Sequence, residues 1–200
     1  MAGIQAMNPT PFNAVERVLA ALDRLEISYL VGGSVASAVF GLSRPTMDLD
    51  MVVDLWPGQV DDLVAELDKD FYVDAESIRE ALSLGRAFNL IHFASSFKVD
   101  MFPLKSDPYS QASFARRTFK VSRSFGPEPI ECAVAAAEDT ILRKLEWYRA
   151  GGETSERQWN DLRGVLRVSG PVLDYAYLRE WAKYLKVDDL LEELLGEQAR

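Results

Sequence analysis

The sequence predicts an α+β fold, a mixed sheet with flanking helices followed by a C-terminal helical bundle. Three observations carry that expectation. Short apolar runs of strand length recur between Tyr29 and Ala133, interleaved with helical stretches. One of them, Met47 to Asp54, sets Met47, Leu49, Met51 and Val53 against Asp48, Asp50, Val52 and Asp54, the period of two that marks a strand. From Ala136 onward the composition is helical and repeats amphipathic faces.

In order along the chain, Thr10 reads as an N-cap with Pro11 at the first helical position. Phe12, Val15, Val18, Leu19, Leu22 and Leu25 then share one face of a covering helix. Tyr29-Leu30-Val31 forms a strand that delivers the turn Gly32-Gly33-Ser34, and Ser34 to Phe40 a short helix whose alanines allow close packing. Gly41 to Thr46 is a loop leading into the strand of Asp48 and Asp50. Pro57-Gly58 marks a turn before a helix with Val60, Leu63, Val64 and Leu67 on its apolar face. Phe71 to Val73 is a strand and Ala75 to Leu84 a helix; Phe88 to Phe93 and Phe97 to Phe102 are strands joined in a hairpin by Ala94-Ser95-Ser96.

Asp107-Pro108 reads as a break, with further strands at Thr118 to Ser122 and Ile130 to Ala133. Helices follow over Ala136 to Arg149, with Ile141, Leu142, Leu145 and Trp147 as its apolar residues and Gly151-Gly152 as the stop. Ser155 caps a helix to Val168 that buries Trp159, Leu162 and Leu166. Leu173 to Leu185 and Val187 to Leu195 complete the bundle. Gly126-Pro127-Glu128-Pro129 is the softest boundary, dividing a sheet-bearing domain, 1–128, from a helical part, 129–200, packed against it.

Two hundred residues, 48% hydrophobic and 26% charged, suit a soluble globular protein with one sizeable core. Cys132 is the only cysteine and His92 the only histidine, which argues against a disulfide, a cysteine cluster or histidine-based zinc chemistry. The segment from Ile27 to Ser43 is too short and too interrupted by glycine to cross a bilayer, and Met1 to Asn8 shows no basic-then-apolar leader. A cytoplasmic enzyme is the expectation. The net charge of −9 opposes general attraction to nucleic acid, so such contact requires a local basic group. Arg116, Arg117, Lys120 and Arg123 form one, in a stretch from Tyr109 to Pro127 that holds no acidic residue.

The chemistry concentrates between Gly32 and Asp50. Asp48 and Asp50 fall on one strand face, where two carboxylates repel and strand propensity is poor; a bound cation resolves both costs. Glycines let the backbone approach a ligand, and amides at the following helix start suit a phosphate. Phe97 to Phe102 adds Asp100, with Lys98 and Asp100 opposite the core-facing Val99 and Met101.

Gly32-Gly33-Ser34, then Asp48-Leu49-Asp50 and Asp100, resembles the signature of the polymerase-beta-like nucleotidyltransferase superfamily; the run Arg44 to Asp50 matches its Arg-x-Thr-x-Asp-x-Asp pattern. Asp100 to Pro103, Ala137 to Leu145 and Ser155 to Asp161 further resemble the AbiEii-type branch, which includes toxins of toxin–antitoxin systems. Where relatives often carry Arg-Asp-x-x-Asp, this chain has Arg157-Gln158-Trp159-Asn160-Asp161. The resemblance implies a nucleotidyltransferase-fold sheet and transfer of a nucleoside monophosphate from an NTP to an acceptor hydroxyl. It assigns two Mg2+ ions to Asp48, Asp50 and Asp100, and the nucleotide to Gly32, Gly33, Ser34, Arg44, Lys144 and Asp161. It favours an RNA acceptor, a tRNA 3′ end met through Arg116, Arg117, Lys120 and Arg123, and a cognate antitoxin as partner. Three alternatives stand beside it: a nucleotidyltransferase acting on a protein or a small molecule, a nucleotide-binding partner without catalysis, and a haloacid-dehalogenase-type phosphatase, whose nucleophile motif resembles Asp48 to Val52 but normally ends an apolar strand.

Overall fold

The computed structural model describes residues 10–41, 46, 48–125 and 128–198. The chain begins α1 (Pro11–Arg24), β1 (Tyr29–Val31), α2 (Gly33–Phe40), β2 (Asp48–Val53), α3 (Val60–Leu67), β3 (Phe71–Tyr72) and α4 (Ala75–Leu84). It continues β4 (Phe88–His92), β5 (Lys98–Pro103), α5 (Pro108–Ala115), β6 (Thr118–Ser122) and β7 (Ile130–Val134). The helices α6 (Ala137–Ala150), α7 (Glu156–Ser169), α8 (Tyr175–Leu185) and α9 (Asp188–Gln198) follow.

The strands form one mixed sheet in the order β3-β4-β5-β2-β1-β7-β6. β2 runs antiparallel to β1 and parallel to β5, so β2 lies between the Gly-Gly-Ser strand and the Asp100 strand. Alternation decides what each face does. Leu49, Met51, Val53, Val99, Met101 and Leu90 point into a core closed by Val15, Val18 and Leu22 of α1, Leu63 and Leu67 of α3 and Ile78 of α4. The opposite face carries Asp48, Asp50 and Val52 in register with Lys98, Asp100 and Phe102.

A second core belongs to the C-terminal helices: Ile141, Leu142, Leu145, Leu162, Leu166, Leu178, Leu190 and Leu191 pack around the buried Tyr109 of α5. Helix α2 joins the two layers. A Cβ at Gly41 would lie 2.9 Å from the backbone of Gly164 and Val165 on α7, so glycine permits this close approach. Nearby, Ser169 Oγ donates to the carbonyl of Phe40 at 2.9 Å.

Two expectations change. Asp107-Pro108 opens helix α5 instead of breaking the chain: Asp107 Oδ1 accepts the Ser110 amide at 2.9 Å and Pro108 takes the first turn. The strand expected at Ile130 to Ala133 is β7, which pairs with β1 and β6 inside the sheet, and the helices follow from α6. The third bundle helix starts at Tyr175, two residues after Leu173, because Gly170–Val172 forms a short 3-10 turn and Asp174 supplies the cap. His92 is structural: its Nδ1 lies 2.8 Å from Ser95 Oγ and its ring packs on Phe71. No helix among the described residues is long and apolar enough to cross a membrane.

Candidate active site

Strand β1 ends at Val31, and the Gly32 amide donates to the Asp50 carbonyl at 2.9 Å. Gly33 then adopts φ +56°, the left-handed region that a Cβ disfavours. Its backbone lies against the Asp50 side chain so closely that any Cβ at position 33 would collide with that carboxylate. One glycine thus serves two needs, turning the chain into α2 and admitting the carboxylate beside the turn. Ser34 continues the link. Its Oγ is 2.7 Å from Thr46 Oγ1, which is 2.9 Å from Asp48 Oδ1. The aspartate oxygens only accept, so the Thr46 proton points to Asp48 and the Ser34 hydroxyl donates to Thr46.

Asp50 and Asp100 stand directly opposite each other on the parallel strands β2 and β5, as do Asp48 and Lys98. Burial, then the neighbouring Asp48 and Asp100 carboxylates, push the Asp50 carboxyl up to about 6. Lys144 and Lys98 act in the opposite direction on it. Lys98 Nζ pairs with Asp100 Oδ2 at 2.7 Å, and that hydrogen bond holds the Lys98 ammonium above its usual range.

The donor set is all carboxylate oxygen, which suits a hard cation such as Mg2+. Among the described residues no three His, Cys, Asp or Glu side chains gather closely enough to hold a metal ion by themselves. The expected ligand set Asp48, Asp50 and Asp100 is therefore not gathered as a three-carboxylate cluster, and an Mg2+ ion here would need substrate phosphates beside one or two of them. Asp50, raised first by burial and then by its neighbour Asp48, forms with Asp48 the pair such an ion would relieve.

The carboxylates open into a cleft of about 530 Å³, walled on one side by Gly32, Gly33 and Ser34 and on the other by α6 and α7. Across it, Lys144 Nζ meets Asp161 Oδ2 at 2.9 Å, with both side chains largely buried. The sequence-selected residues Gly32, Gly33, Ser34, Asp48, Asp50, Lys144 and Asp161 therefore line one cavity. Asp100 lies beside it through its register with Asp50. Arg44 lies outside the described residues. Asp48 and Asp50 sit at the start of β2, not at the end of a strand as the phosphatase motif requires.

Sequence reasoning missed the polar lining from α5 and α6: Ser110, Ser113, Asp139 and Arg143. The signal was present in the Asp107-Pro108 cap, which places Ser110 and Ser113 one turn apart on a helix. Trp147, assigned to the apolar face of α6, is 56% exposed and lines the cleft.

The basic group also differs from its expected form. Arg116 turns inward, pairing with Glu138 Oε2 at 3.0 Å and approaching Asp139 Oδ2 at 3.4 Å, with its guanidinium 3.9 Å from the centre of the Tyr177 ring. The Asp139 contact is coulombic: neither Nε of Arg116 nor Oδ2 of Asp139 has a hydrogen-bond partner. Arg117 folds over Phe114 and donates to its carbonyl at 2.8 Å. Lys120 and Arg123 alone remain exposed, because the acids neutralising Arg116 come from α6, outside the acid-free stretch of sequence.

No protein-family model and no curated protein matches this chain. Solved structures do. An antigenic nucleotidyltransferase-like protein from Paracoccidioides brasiliensis is similar with a TM-score of 0.52 and 16% identity, over 91% of this chain and 91% of its own. ANT(2'')-Ia in complex with adenylyl-2''-tobramycin is similar with a TM-score of 0.50 and 13% identity, over 87% of this chain and 95% of its own. At these identities the likeness concerns the fold: the chain has the nucleotidyltransferase fold, an α+β architecture with a mixed sheet.

Proposed function

We propose that this protein transfers a nucleoside monophosphate from an NTP to the hydroxyl of a small acceptor molecule. The observation that supports the reading is the contact of Gly33 with Asp50, which sets the Gly-Gly-Ser turn against a carboxylate pair inside one cleft. The chain's own groups divide the work. The turn amides and the Ser34 hydroxyl hold the anionic triphosphate, and Lys144 adds positive charge from α6. Asp48 and Asp50 hold Mg2+, which when bound supplies positive charge at the reacting phosphate. Asp100, beside Asp50 and tethered by Lys98, takes the proton of the attacking hydroxyl. The α-phosphorus–oxygen bond to pyrophosphate breaks as the bond to the acceptor oxygen forms.

A small hydroxylated acceptor is favoured over an RNA end. The chain carries −9, and the two arginines at the centre of the expected RNA-binding group are occupied by Glu138 and Asp139 or by Phe114. The test is incubation with each α-labelled NTP and Mg2+, supplying in turn total RNA, total protein and a panel of aminoglycosides, lincosamides and sugars. Label in a small compound with matching pyrophosphate release is the expected result. Label in RNA would restore the nucleic-acid acceptor, and no pyrophosphate with any acceptor would remove the transferase reading.

A further inference from the structure

The cleft has a second end that the phosphate and metal assignments leave unused. One turn beyond Lys144 on α6 stands Trp147, and one turn before Asp161 on α7 stands Gln158; all four line the same cavity. A helical turn spans about 5 Å, so Trp147 and Gln158 form the next layer outward from the Lys144–Asp161 pair. Trp147 presents its indole to the opening, 56% exposed, held edge-on by Phe102 with ring centroids 6.3 Å apart. Gln158 has a side-chain oxygen that is buried and lacks any hydrogen-bond partner. Such an orphaned group carries a cost that a ligand can remove.

We infer that Trp147 and Gln158 form the seat of the nucleobase, and that the base is adenine. The indole face offers a stacking platform of the kind bases use on aromatic side chains. The Gln158 carboxamide offers a donor and an acceptor side by side, the pattern glutamine uses to pair with the adenine edge. The two positions divide the labour: Trp147 holds any base, whereas Gln158 distinguishes them. This assignment rests on the phosphate site proposed above.

Binding of ATP, CTP, GTP, UTP and inorganic tripolyphosphate, each with Mg2+, tests it on wild type, Trp147→Ala, Trp147→Phe and Gln158→Ala. Wild type is expected to bind ATP more tightly than the other three nucleotides and all four more tightly than tripolyphosphate. Trp147→Ala should weaken every nucleotide roughly ten- to hundredfold, the range of base–aromatic stacking, and leave tripolyphosphate unchanged. Trp147→Phe should restore most of that loss. Gln158→Ala should reduce the preference for ATP about tenfold with little effect on the other bases. Nucleotides binding no better than tripolyphosphate, an unaffected Trp147→Ala variant, or a preference for another base would overturn the seat while sparing the phosphate site. Failure of both tripolyphosphate and ATP to bind would remove the phosphate site and this inference together.

Discussion

Lys144 on α6 and Asp161 on α7 meet at 2.9 Å across the cleft, a charged clasp that is largely withdrawn from solvent. A triphosphate that recruits Lys144 draws on an ammonium already held in place. Lys144→Ala is expected to weaken nucleotide binding roughly ten- to hundredfold, the worth of a charge-assisted contact of about 1.5–3 kcal/mol. Lys144→Met combined with Asp161→Leu removes both charges of the pair together and should melt closer to wild type than Lys144→Ala does, without recovering affinity. Calorimetric titration and melting curves on the three proteins separate the two effects.

Gly33 and Gly32 make opposite predictions. Alanine at Gly33 meets both the left-handed backbone penalty and the Asp50 carboxylate, whereas nothing lies within 4 Å of a Cβ at Gly32. Gly33→Ala should lose about 1–3 kcal/mol of stability and most nucleotide binding. Gly32→Ala should remain within about 1 kcal/mol of wild type. Urea unfolding of both variants decides it, and equal losses would refute the close approach.

Asp50→Asn separates folding from chemistry by pH. The folded chain raises the Asp50 carboxyl from its ordinary 3.8 to about 6, so the group binds its proton more tightly folded than unfolded. Its contribution is therefore fully present below 3.8 and lost as pH rises through 6. That difference corresponds to about 3 kcal/mol. With EDTA present, Asp50→Asn should melt higher than wild type at pH 7.5, and the gap should close by pH 4. Turnover with Mg2+ should disappear at every pH.

Arg116 is expected to behave as an interior counter-ion. Arg116→Ala removes a counter-charge from the fully buried Asp139, which keeps the Tyr177 hydroxyl at 2.8 Å, and should cost about 1–3 kcal/mol. Adding Asp139→Asn should return part of that loss in denaturant titrations. A variant as stable as wild type would make Arg116 a surface residue after all.

What the sequence made legible was local. Period-two alternation located Asp48, Asp50 and Asp100 on strands, and the Gly-Gly-Ser turn was recognisable beside its strand. Strand order was not. That Asp100 stands opposite Asp50 depends on β5 pairing with β2 across four intervening elements, which no local pattern encodes. The misplaced Arg116 has the same origin, since Glu138 and Asp139 reach it only after α6 folds back. Asp107-Pro108 is different: it carries the same capping chemistry as Thr10-Pro11, recognised there because an apolar helical face follows. α5 buries Tyr109, Ser110, Ser113 and Phe114 at helical spacing, but two of the four are serine, so no apolar periodicity marks the helix.

The close approach of Gly41 to the backbone of Gly164 and Val165 limits how far the cleft can open. It pins the end of α2 to α7, so the turn at Gly33 and the carboxylate at Asp161 ride on one welded frame. Opening the cleft as a hinge would require separating two backbones in van der Waals contact. The proposed nucleotide is therefore expected to enter a standing mouth, and small-angle scattering profiles with and without it should superimpose. Enlarging Gly41 to valine would pry the frame apart, converting a preorganised receptacle into one that must be closed at each turnover.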